Sequence, residues 1–202
     1  MDQGTLSESQ VNAFPIGLRD RWHETVFVFP YTDKGLLRPK ANETVEVLKL
    51  LRSNGARVVT YQCTEEKSYE EMFRKVWDAP IDYVIIEHDM VPTVDQITDI
   101  VLCPFPTCTF DYQLNDWGAL ACRDVDVEPL EAYGHKAHVF CKLAGLGFTK
   151  LGWQQRARIS LRDLEESNYE WRDLDSRLSR LINKHNGTFH VHDGLVHHNY
   201  AK

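Results

Sequence analysis

No apolar run in this 202-residue chain approaches the roughly 20 residues that a helix needs to cross a bilayer, so no membrane span is expected. The first two dozen residues are polar and mixed. They lack the basic-then-apolar order of a secretory leader, which points to a cytoplasmic protein. Basic charge is scarce as well: 23 Lys and Arg stand against 30 Asp and Glu, a formal charge of -7. A protein that grips nucleic-acid phosphates carries the opposite balance, so a nucleic-acid partner is not favoured. The five cysteines (Cys63, Cys103, Cys108, Cys122 and Cys141) are odd in number and contain no C-x-x-C pair. They read as reduced, buried thiols, and a structural zinc built from them is not expected. What is present, 43% hydrophobic and 26% charged residues, is the composition of one globular domain with a full-sized core.

The rest of the chain is organised around residues 81–92, I-D-Y-V-I-I-E-H-D-M-V-P. Tyr83-Val84-Ile85-Ile86 is a continuous apolar run rich in β-branched residues, which suits a strand covered on both faces. Glu87, His88 and Asp89 follow directly, at the carboxyl end of that strand, where open α/β sheets bind ligands. In an extended segment Glu87 and Asp89 point the same way and reach one ion together.

Upstream, residues 1–24 read as an irregular arm. Thr25-Val26-Phe27-Val28-Phe29 is a first strand, expected to stop at Pro30. The loop Pro30-Tyr31-Thr32-Asp33-Lys34-Gly35 lacks the glycine spacing of a dinucleotide fingerprint or a P-loop. A helix is expected over 39–53, with Thr44, Val47, Leu48 and Leu51 on one face and Asn54-Gly55 as its stop. Arg57-Val58-Val59-Thr60-Tyr61 is a second strand, and 68–77 a helix whose Tyr69, Phe73 and Trp77 read as core. Strand, helix, strand, helix, strand with short joins predicts a parallel sheet with right-handed crossovers.

Downstream, a short helix is expected over 93–101 and a strand over 107–112. Residues 113–127 show no clear period, though Trp117-Gly118-Ala119 hints at a turn, and 128–143 carry no decisive signal. Gly145-Leu146-Gly147-Phe148-Thr149-Lys150-Leu151-Gly152 is a glycine-rich segment where backbone approaches a ligand closely. Ser167-x-x-Glu170 is a capping box that opens a helix near Asn168, with Trp171, Leu174, Leu178, Leu181 and Ile182 on one stripe. Asp173 points away from that stripe and Asp175 lies on its border, placed for a cleft. Thr188-Phe189-His190-Val191-His192 alternates like a strand. Four of the nine histidines fall in the nine residues from His190 to His198, and imidazole beside carboxylates suits a divalent transition metal.

Taken together, these residues resemble a small nucleotide-sugar glycosyltransferase of the GT-A type, family 2-like. The resemblance lies in the order of elements, in Glu87-His88-Asp89 where that family has Asp-x-Asp, in Trp171-x-x-x-Asp175, and in a late strand ending in histidine. Glu87 replaces the family's first Asp. The resemblance covers about residues 25–200. It implies an α/β fold: a GT-A-like single domain with a mostly parallel central sheet flanked by helices and a Rossmann-like N-terminal half. Residues 25–112 would bind the nucleotide sugar and residues 113–202 the acceptor.

The resemblance further implies a UDP- or GDP-sugar donor, a hydroxyl acceptor (glycan, lipid, protein or modified base) and Mn²⁺ or Mg²⁺. Asp89, Glu87 and His197 would hold the metal, with His198 and His192 as rivals to His197. Pro30, Tyr31, Asp33, Thr64, Glu65, Glu87 and His88 would contact the donor. Trp171 and Gly147 would meet the acceptor, and Asp175 or Asp173 would act as general base in an inverting transfer. Two other readings remain open: a metal-dependent phosphohydrolase or nucleotidyltransferase, and a non-catalytic nucleotide-binding or interaction module of the same fold.

Overall fold

The computed structural model describes residues 14, 18, 20–32, 41–63, 68–114, 120–128, 138–165 and 174–198. Asp33, Thr64, Glu65, Ser167, Glu170, Trp171, Asp173 and residues 117–119 lie outside that set. A 3-10 turn (Trp22–Glu24) leads into β1 (Thr25–Tyr31), α1 (Ala41–Ser53), β2 (Arg57–Gln62), α2 (Ser68–Val76) and β3 (Asp82–Ile86). Then come β4 (Met90–Val91), α3 (Val94–Leu102), β5 (Thr107–Asp111), β6 (Arg123–Glu128), β7 (His138–Leu143) and β8 (Phe148–Leu151). The chain continues through α4 (Trp153–Arg156), α5 (Leu161–Glu165), α6 (Leu174–Lys184), β9 (Phe189–Leu195) and β10 (His197–His198).

Eight strands form one sheet in the order β2-β1-β3-β8-β5-β9-β7-β6, and β4 pairs with β10 apart from it. β2, β1 and β3 are mutually parallel, as are β5 and β9. β8 runs antiparallel to both β3 and β5, and β7 antiparallel to both β9 and β6. Six of the eight strands therefore point one way. The fold is a mixed α/β sheet flanked by helices.

The pleat divides the core in two. Phe27, Phe29, Val84, Ile86, Phe110 and Phe148 face one side, where Leu48 and Leu51 of α1 and Ile97 and Ile100 of α3 cover them. Val26, Val28, Tyr83, Ile85 and Phe189 face the other, under Met72 and Phe73 of α2 and Leu174, Leu178 and Ile182 of α6. Both faces of β1 and β3 are thus buried, which is why their sequences are continuous apolar runs.

β1 does not stop at Pro30 but runs on to Tyr31. Its ladder with β3 ends at Val28, while that with β2 continues to Tyr31 paired with Gln62. At Pro30 one side of the strand has no ladder to donate into, so proline is tolerated there. β8 occupies part of the segment expected to be a glycine-rich turn. Its alternation is masked by two buried polar residues: Thr149 Oγ1 donates to Gly145 O at 2.8 Å, and Lys150 Nζ to Cys103 O at 2.8 Å.

Candidate active site

β3 ends at Ile86, and the acidic triplet turns at once. Glu87 N donates to Gly147 O at 2.9 Å and Met90 N to Glu87 O at 3.1 Å, which closes a turn over 87–90. This corrects the extended geometry assumed for Glu87 and Asp89: a four-residue turn, not strand alternation, brings the acids together. Met90 and Val91 then pair antiparallel with His198 and His197.

That short ladder decides which late histidine meets the acids. Neighbouring strand residues point to opposite sides. His198 Nε2 lies 3.1 Å from Asp89 Oδ2, whereas His197 is exposed. His198 therefore takes the place the resemblance gave to His197. His192 lies with Phe110, Cys103 and Cys108 instead. His198 Nδ1 is 2.7 Å from Gln113 O, and a carbonyl accepts only, so Nδ1 carries a proton. Asp89 is buried, and His88 Nε2 stands 4.0 Å from its Oδ2.

Asp175 enters from the first turn of α6, where Leu146 N donates to its Oδ2 at 3.4 Å. Burial raises its pKa to about 6, against the opposing pull of the Leu146 and its own backbone N–H groups. Glu87 is pushed well above the usual carboxylate range, by burial first, then by the charges of Asp89 and Asp175. Both causes favour the neutral form of its carboxyl over the ionised one. Glu87 thus lies within electrostatic reach of both Asp89 and Asp175, and the three acids form one group.

Tyr112, just past β5, completes the group. Its hydroxyl accepts from Gly147 N at 3.2 Å, and its ring meets that of His198 edge-on at 5.3 Å. Burial and then Glu87 hold its pKa well above the ordinary phenol value. Gly147 is buried beneath this ring: a Cβ there would meet Tyr112 Cζ at 2.9 Å as well as the Met90 methyl. It admits Tyr112 to the site and is not placed to face an acceptor. Tyr31, half-buried, stacks on Phe29 at 5.8 Å at the same ends of the strands, beside buried Pro30. Sequence reasoning missed Tyr112, although its place at a strand's carboxyl end was a signal. A cleft of about 610 Å³ opens elsewhere, at the amino ends of β1 and β3, lined by Thr25, Asp82, Cys103, Lys150 and Trp153 among others. None of the acidic group lines it.

The fit of the site to a divalent ion rests on two donors. Two ligands at right angles about 2.1 Å from an octahedral ion stand about 3 Å apart; Asp89 Oδ2 and His198 Nε2 are 3.1 Å apart. Fixing the Nδ1 proton on a backbone carbonyl is how proteins free Nε2 for a metal. The donor set fits.

No protein-family model and no curated protein matches this chain. Among solved structures, the crystal structure of A197 from STIV is similar, with a TM-score of 0.53 over 88% of this chain and 86% of that one. At 14% identity the likeness is one of fold, an α/β domain with a flanked central sheet.

Proposed function

We propose that the chain is a metal-dependent glycosyltransferase that moves a sugar from a nucleoside-diphosphate sugar to a hydroxyl acceptor, with inversion. The observation that carries this reading is the joining of Asp89 and His198 to Asp175 through the shared neighbour Glu87. Asp89 and His198 would hold the ion, and a nitrogen donor favours Mn²⁺ over Mg²⁺. When bound, that ion supplies neutralisation of the charge that builds on the departing diphosphate.

The remaining work falls to side chains. Asp175, ionised above about pH 6, takes the acceptor's proton as its oxygen attacks the anomeric carbon. Glu87, whose neutral form is favoured by burial and by its two acidic neighbours, would offer a hydrogen bond to the donor. Tyr112 and His198 wall the site with rings and limit its water. Pro30 and Tyr31, at the carboxyl end of β1, would meet the nucleotide base. A hydrolase using two ions gathers several metal carboxylates, and the loop after β3 offers only the pair Glu87 and Asp89, which favours transfer over that alternative.

A thermal-shift comparison of nucleoside diphosphates with and without Mn²⁺ tests the reading. One nucleotide should raise Tm, more so with metal, and Asp89→Asn should abolish the metal-dependent part. Folded protein that responds to no nucleotide in the presence of Mn²⁺ would overturn it and favour an interaction module.

A further inference from the structure

We propose that Cys103, Cys108 and His192 form a second site, for a soft divalent cation such as Zn²⁺, sharing no residue with the acidic cluster. Their ligand atoms all lie within 4.8 Å of one another. The three come from three elements: Cys103 caps the end of α3, Cys108 begins β5 beside Thr107, and His192 lies on β9. The parallel register of β5 and β9 sets Cys108 beside His190 and Phe110 beside His192. Because side chains two apart share a face, Cys108 and His192 fall on the side that α3 covers.

The surroundings suit such an ion. Two thiolates and one imidazole are a set that selects zinc, and two thiolates cancel the dication, so a filled site adds no net charge to a buried region. The His192 ring is held by Phe110, stacked at 4.7 Å, and by His190, edge-on at 4.8 Å. Its Nε2 is shielded from solvent and has no hydrogen-bond partner among the described residues. A buried imidazole nitrogen in that condition is costly unless a ligand meets it. His190 Nδ1 lies 3.5 Å from Cys103 Sγ, where it steadies a sulfur ligand from outside the group.

Cys103 lines the 610 Å³ cleft at the amino ends of β1 and β3, which brings that cleft to the edge of the group. The sequence argued against a zinc because its cysteines lack close spacing; the sheet supplies the proximity instead. The consequence is mechanical. A filled site would pin α3, β5 and β9 together, and β9 leads through Val196 into the ladder that carries His198.

Titration of the reduced full-length chain with Co²⁺ tests this directly. One equivalent should produce thiolate-to-cobalt charge-transfer absorption, and Zn²⁺ should erase it by displacement. Asp89→Asn and Cys63→Ser should keep the absorption, whereas Cys108→Ser and His192→Phe should lose it. His190→Ala should weaken binding about 10- to 100-fold. Folded wild-type protein with all thiols reduced and no such absorption would overturn the proposal. So would absorption that survives Cys108→Ser, or a Cys103–Cys108 disulfide that reforms in air and excludes the ion. The wild-type readout stands even where a variant fails to fold.

Discussion

A carboxyl with a pKa near 6 changes charge inside the range in which proteins are routinely handled, and Asp175 is such a group. Its folded value lies above its unfolded one, so the native state holds the proton more tightly. Stability from this group falls as pH rises from about 4 to about 6, and the full penalty persists above that. Activity runs the other way, because a base must be ionised. We therefore expect kcat/KM of a transferase assay to rise with pH around a midpoint of about 6. Asp175→Asn should lose roughly 10²- to 10⁴-fold in rate yet gain in Tm at pH 8 relative to pH 4. A variant that loses Tm equally at both pH values would show that Asp175 acts only in packing.

At the level of elements, α3 shows how a local signal fixes a site. Thr93 accepts from Gln96 N at 3.2 Å while Gln96 Oε1 accepts from Thr93 N at 3.0 Å, a complete capping box. Gln96 Nε2 also donates to Leu195 O at 3.0 Å, which ties the helix start to the end of β9. Thr93→Ala should lower unfolding free energy by about 1 kcal/mol in urea titration, and Thr93→Ser should leave it nearly unchanged. Elements of this kind were legible. β1, β3 and α1 announced themselves because burial dictates their patterns, and Asn54-Gly55 ended α1 with Gly55 at φ 86. β6 and β7 were not legible, since β6 is an edge strand with Val125 48% exposed and burial does not dictate an apolar residue there. The choice of His198 over His197 was beyond reach as well. It depends on the phase of a two-residue ladder that only the pairing with Met90 sets.

In the molecule as a whole, Arg156 is the joint that composition conceals. This guanidinium is buried at the end of α4, yet it donates to the carbonyls of Val76, Trp77, Ala79 and Ile81, all beyond or at the end of α2. It lies over the Tyr83 ring at 4.4 Å, and burial lowers its pKa to about 10. Trp77 Nε1 reciprocates by donating to Ile159 O at 2.8 Å. Arg156→Met keeps the volume but removes a donor from all four carbonyls, of which Val76 O and Ala79 O keep a backbone N–H while Trp77 O and Ile81 O depend on the guanidinium. We expect a loss of about 3 kcal/mol or more, read by guanidinium denaturation. No periodicity marks Arg156 as buried, because its partners are backbone oxygens that any sequence supplies.

The place of β8 has a consequence for how the chain comes together. Ordered in space between β3 and β5, it follows both by dozens of residues in sequence. Until residues 148–151 arrive, two strands that end up buried face an empty slot, each with an unpaired backbone edge. Such edges are adhesive, and contacts so far apart in sequence form slowly. The half-finished sheet is thus a template for the wrong strand, from a neighbouring ribosome or another copy. The antiparallel insert that finishes the centre of the sheet is also the step at which a nascent population is most exposed to mispairing.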